Sequence, residues 1–135
     1  LGAFKVKNMR IVLWLAIFFP VLLFGQADFS GMARAMGSGN VDVLGQYFDV
    51  QLDISLNGEE QTLDKSRALV FLKQFFAQHT AKGFQVLHQG ASRGSDAQYS
   101  IGNLSTSGGT FRVYMYVRSV GAKFLIQEIR IDQGG

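Results

Sequence analysis

The side chains in this sequence that could move a proton are two carboxylates, Asp53 and Glu128, as bases, and four phenols, Tyr47, Tyr99, Tyr114 and Tyr116, as donors. Alternation weighs against Asp53, because it shares a face with Asp49, Gln51 and Ser55, opposite an apolar row, which describes a solvated face better than a site. Glu128 shares parity with Phe124, Ile126 and Arg130, and an ion pair with Arg112 or Arg130 on a neighbouring strand is the expectation against which a catalytic role is weighed. His88 has the parity of Phe84 and Val86 and is expected to point inward as a hydrogen-bonded core or pocket-lining residue. His79 reads as a cation near the negative end of a helix. With two histidines and no cysteine, an ordinary zinc site would need carboxylates from elsewhere, so neither a metal nor a cofactor is expected. No nucleophile elbow, P-loop, dinucleotide fingerprint or His-Glu-x-x-His string occurs, which lowers the expectation of an enzyme without removing it.

The elements that would position these groups are legible in the periodicities. Phe29, Met32, Ala33 and Met36 mark one face of a helix that Gly37-Ser38-Gly39 ends, and Asn40 caps a second short helix bearing Val41, Leu44 and Phe48 on one side. From Phe48 the period becomes two: Phe48, Val50, Leu52, Ile54 and Leu56 predict a half-buried strand, Asn57-Gly58 a type I′ hairpin, and Glu59 to Leu63 a polar edge strand. Asp64 caps the longest helix, with Ala68, Leu72, Phe75 and Phe76 in line and Leu69 and Phe71 broadening the stripe. It is expected to end near His79 to Gly83, with Gly83 left-handed. Four strands follow, at 84–91, 97–105, 110–119 and 124–132, joined by short glycine-bearing turns. The clearest is Thr110 to Ser119, whose odd positions Phe111, Val113, Met115 and Val117 are apolar. Its even positions Arg112, Tyr114, Tyr116 and Arg118 are of the types enriched at interfaces, and two readings of them stay open: a dimer surface, or an exposed face whose rings cover the backbone.

Lys5, Lys7 and Arg10 account for the whole formal charge of +3, so the body is neutral and offers nucleic acid little phosphate attraction. Behind them Ile11 to Phe24 is uncharged and almost wholly apolar; as a helix it would span about 21 Å, short of a roughly 30 Å hydrocarbon core. The order of basic residues, apolar run and small residues predicts a signal peptide over residues 1–27, cut between Ala27 and Asp28, with residues 1–8 an upstream extension if Met9 is the initiator. Residues 28–135 then form one domain, exported to the periplasm or medium, touching membrane only through the signal segment before cleavage.

Helix, helix, hairpin, long helix and four meandering strands make an α+β layout with helices on one face of an antiparallel sheet. The order resembles the cystatin-like cone of the nuclear transport factor 2-like superfamily. The chain resembles more narrowly a Bacteroidetes-type family of small secreted proteins of unknown function, through His88-Gln89-Gly90, Tyr99-Ser100-Ile101-Gly102-Asn103-Leu104, Gly109-Thr110-Phe111-Arg112-Val113-Tyr114, Ile126-Gln127-Glu128-Ile129-Arg130 and the Ser38-Gly39-Asn40 to Phe48 segment. The resemblance implies a strongly curved sheet enclosing a pocket, to which His88, Tyr99 and Gln127 are assigned, and a sheet face that pairs into homodimers. The expected function is therefore an exported, non-enzymatic binding or interaction domain, homodimeric through Arg112, Tyr114, Tyr116 and Arg118, with a small apolar ligand or nothing in its cone. The alternative is a pocket enzyme similar in layout to the ketosteroid isomerase group, with Glu128 or Asp53 as its base.

Overall fold

The computed structural model describes residues 25–91 and 96–134; the basic residues and apolar run of the predicted signal segment, residues 1–24, lie outside them. Helix α1 (Phe29–Ser38) starts where the Asp28 side chain accepts a hydrogen bond from Gly31 N. It ends at left-handed Gly39, whose N–H donates to the Ala35 and Met36 carbonyls. Helix α2 (Val41–Gly45) is capped by Asn40, which accepts from Val43 N at 3.2 Å. Strands β1 (Phe48–Leu56) and β2 (Glu59–Asp64) meet at the expected hairpin, with Asn57 at φ 50° and Gly58 at φ 89°, as a type I′ turn needs. Asp64 caps helix α3 (Lys65–Gln78) by accepting from Arg67 N. Strands β3 (Ala81–Ala91), β4 (Ala97–Thr106), β5 (Gly109–Val120) and β6 (Lys123–Gln133) complete the chain. No helix among the described residues is long and apolar enough to cross a membrane.

The six strands form one curved sheet in the order β2-β1-β6-β5-β4-β3. The expected antiparallel arrangement holds for every neighbouring pair except β1 and β6, which run parallel. That pairing is clamped at both ends: Ile126 N donates to Tyr47 O at 2.7 Å, and Asn57 N donates to Ile131 O at 2.8 Å. The helices cover one face, and the core between is filled by Met32, Met36, Leu44, Leu72, Leu104, Val113, Met115, Ile129 and Ile131, none with exposed surface.

Two expectations about local structure change. Val50 was assigned to the buried row of β1 but is 80% exposed, because six residues of β1 (Phe48 to Asp53) are set against three of β6 (Ile126 to Glu128) and the strand bows away from its neighbour. Gly83 is not a helix cap: α3 stops at Gln78, and Gly83 lies inside β3, which begins three residues earlier than the alternation indicated. The reason is tertiary. The His79 ring stacks on Phe75 at 4.6 Å and meets Phe111 edge-on at 5.1 Å, while Thr80 and Ser107 exchange hydrogen bonds that start the β3–β4 ladder at once.

Gly31 sits in a tight knot beneath the α1 cap. The Tyr47 hydroxyl donates to Asp28 Oδ2 at 2.7 Å, and a Cβ on Gly31 would overlap both the carboxylate and the hydroxyl. Gly31→Ala is therefore expected to lower stability in urea unfolding by about 1–2 kcal/mol, although alanine is the better helix former by about 1 kcal/mol. In an Asp28→Ala/Tyr47→Phe background, where nothing is overlapped, the same substitution should become neutral or stabilising. The bonds from Gly31 N–H and the Tyr47 hydroxyl, assisted by the Arg34 charge, hold the Asp28 carboxyl below its ordinary pKa despite some burial. A depressed folded-state value contributes stability at pH above the unfolded one and loses it as pH falls through the folded one. The stability difference between wild type and Asp28→Asn should thus be constant near neutrality and shrink below about pH 3.9, the ordinary aspartate value.

Candidate functional site

Strand β5 lies inside the sheet with β4 and β6 on either side, so its two rows of side chains have opposite fates. Phe111, Val113, Met115 and Val117 are buried against the helices, while Arg112, Tyr114, Tyr116 and Arg118 stand on the outer face. Register decides their neighbours. Tyr114 is opposite Ile101 and Arg130, Tyr116 opposite Tyr99 and Glu128, and Arg112 opposite Asn103 and Asp132.

These neighbours interlock. Arg130 Nε donates to Glu128 Oε2 at 2.8 Å, and its guanidinium lies 4.8 Å from the centre of the Tyr114 ring. The other side of Tyr114 stacks on Tyr99, with ring centres 6.2 Å apart and 23° between planes, and the Tyr99 hydroxyl is hydrogen-bonded to His88 Nε2 at 2.7 Å. A continuous ladder, His88–Tyr99–Tyr114–Arg130–Glu128, therefore crosses four strands. Beside it Arg118 donates to the Tyr116 hydroxyl at 2.6 Å and pairs with Asp96 at 2.9 Å, and Arg112 donates to Asn103 Oδ1.

Two of these positions overturn simple parity, both through a β-bulge. Leu87 is an extra residue in β3, because Val86 pairs with Gly102 and His88 with Ile101. The bulge moves His88 from the inward face, where it was expected with Phe84 and Val86, to the exposed outer face. Gln127 is likewise extra in β6, between Ile126 opposite Val117 and Glu128 opposite Tyr116, so Ile126 is buried while Glu128 faces outward. Gln127 itself donates to Asp49 Oδ2 at 3.0 Å. Glu128 takes Arg130 as its partner, on its own strand rather than a neighbouring one. Asp53, opposite Glu128 across the parallel pair, accepts a hydrogen bond from Thr62 on β2. Both candidate bases thus lie on the face away from the helices, whereas a base working inside the cone would have to point toward them. Arg130 is the member of the ladder that the sequence weighed only as an ion-pair partner; its alternation with Glu128 was the available signal.

Two groups of the ladder, Tyr114 and Arg130, have shifted pKa values. Burial raises the Tyr114 phenol above its ordinary value, the Glu128 charge adds to the rise, and Arg130 opposes it, so Tyr114 is a poorer acid at neutral pH than a free tyrosine. Arg130 is held still more firmly protonated by its hydrogen bond to Glu128. Glu128→Gln should lower the pH at which Tyr114 ionises and Arg130→Gln should raise it, opposite displacements of one transition in an ultraviolet difference titration.

On the helix side, an open hollow of about 760 Å³ lies between α1 and β3, lined by Asp28, Ala33, Arg34, Phe84, Val86 and Gln89 among others, and not by His88, Tyr99 or Gln127.

The profile of DUF4783, described as a domain of unknown function, matches residues 29–132. A crystal structure of a DUF4783 family protein from Bacteroides ovatus is 31% identical with TM-score 0.78, covering 82% of this chain and 99% of that one. One from Bacteroides uniformis is 32% identical with TM-score 0.74, covering 78% and 96%. A nuclear transport factor 2-like protein of unknown function from Shewanella oneidensis, 16% identical with TM-score 0.60 over 78% and 93% of the two chains, shares the fold alone. A search of curated proteins finds no match. The expected fold and family are both found.

Proposed function

We propose, for a chain that belongs to the DUF4783 family of domains of unknown function, that it is an exported, non-enzymatic interaction domain pairing with a second copy of itself through the outer sheet face. The observation that carries this reading is the His88–Tyr99–Tyr114–Arg130–Glu128 ladder, a set of interface-type side chains already held in place by one another. Side chains fixed before association lose little rotamer entropy when a partner covers them, and each such chain spared is worth roughly 0.5–1.5 kcal/mol. The neutral body also weighs against nucleic acid, since it offers phosphates little attraction. The packed methionines and leucines of the concave side favour an empty cone over a small apolar ligand. Export rests on the basic start, apolar run and small residues of 1–27.

Light scattering on the eluting protein at micromolar concentration should give twice the chain mass. Tyr114→Ala and Arg130→Ala should each weaken the dimer by about tenfold or more, as expected for a hot-spot loss above 1.4 kcal/mol, while Val70→Ala, on exposed α3 surface, should not. A monomer in wild type, or a dimer indifferent to both substitutions, refutes the interface. For export, mass spectrometry of the secreted protein should find Asp28 at its N-terminus.

A further inference from the structure

The two edges of the sheet are protected to very different degrees. β2 is six residues long and carries exposed Glu59, Glu60 and Asp64, the charges that discourage another chain from pairing there. β3, at the opposite edge, is eleven residues long, has Lys82 as its single charge, and exposes Val86 and Leu87. One side of β3 is bonded to β4; the other presents backbone donors and acceptors to no strand among the described residues. Along that edge runs the hollow of about 760 Å³, lined by Asp28, α1 and β3, with Gln26 and Ala27 bordering it only before the proposed cleavage and with no residue of β4. Ala33 and Ser38 of α1 face the hollow, Phe84, Val86 and Gln89 form its β3 wall, and Gly37 is packed directly against the β3 backbone at Phe84.

We propose that the free edge of β3, with the groove between it and α1, receives an extended acidic segment of a partner polypeptide as a seventh strand. Backbone pairing would supply affinity, and alternate side chains of the added strand would fall into the groove. The acidic preference comes from charge. The groove and strand together carry two cations, Arg34 and Lys82, against the one carboxylate Asp28, and neither cation forms an ion pair within 4 Å among the described residues. A second copy of the chain cannot pair with this edge about Leu87. Pairing two β3 strands about Leu87 would set a helix-side Val86 against an outward-facing His88, because the bulge places these residues on opposite faces, and paired residues in an antiparallel ladder must share one.

The test uses the full chain and synthetic probes of about nine residues, alternating threonine and valine with a central glutamate, a central lysine, or two prolines that block pairing. The glutamate probe should shift amide resonances and slow hydrogen exchange over residues 83–91 and 33–38, and the proline probe should do neither. Wild type should prefer glutamate to lysine by roughly two- to fivefold, the range of an exposed ion pair, and Arg34→Glu, at an exposed position, should reverse the order. Absence of binding, binding without charge preference, or shifts centred on the outer face or β2 would overturn the proposal. So would concentration-dependent protection of β3 without any probe, which would make a second copy the occupant. Because the readout is at β3 and α1, failure here leaves the outer-face dimer standing, and failure of the dimer leaves this edge to be judged alone.

Discussion

The parallel pairing of β1 with β6 joins two pieces that are otherwise separate, an N-terminal hairpin and a C-terminal meander. It is bonded through Tyr47 and Asn57 at its ends, and closing it brings together residues more than seventy positions apart in sequence. The entropic cost of such a closure grows slowly with length, so the apolar row Leu52, Ile54, Ile129 and Ile131 buried on its helix side can offset it. Once the pair is formed, α3 must cross from one edge of the sheet to the other to reach β3, and in doing so it roofs the core with Ala68, Leu72 and Phe75. The outer face depends on the same pairing, which brings Asp53 beside Glu128 and leaves the negative end of that face next to Arg130.

Bulges then decide which side chains belong to which face. A sheet read by strict alternation would keep His88 with Val86 and Glu128 with Ile126, mixing polar and apolar residues on both sides. One extra residue in β3 and one in β6 return each polar side chain to the outside while Ile126 stays in the core and Val86 on the helix side. The bulge in β3 also makes that edge irregular, which restrains pairing with an identical strand.

The outer face is an assembly of modest interactions. Arg130 and Glu128 are 52% and 22% exposed, and an exposed ion pair of this kind contributes about 0–1 kcal/mol. Its effect is geometric: the guanidinium is held over Tyr114, Tyr114 over Tyr99, and Tyr99 to His88, so the surface has one arrangement. The phenol pKa is pushed up and the guanidinium stays charged, so Tyr114 and Arg130 keep their donors and charge across the neutral range.

The sequence by itself determined the features governed by short-range physics. The caps at Asn40 and Asp64, the Asn57-Gly58 turn, the stripe of α3 and the two rows of β5 follow from hydrogen-bonding groups and periodicities within a few residues, and each is found where the residues put it. Only the tertiary structure decided what depends on partners distant in the chain. The direction of β6 relative to β1 and the early start of β3 arise from contacts across the fold, and the outward turn of His88 and Glu128 and the exposure of Val50 from how many residues one strand sets against its neighbour. That count is fixed by packing across the sheet, and no periodicity within a single strand can contain it.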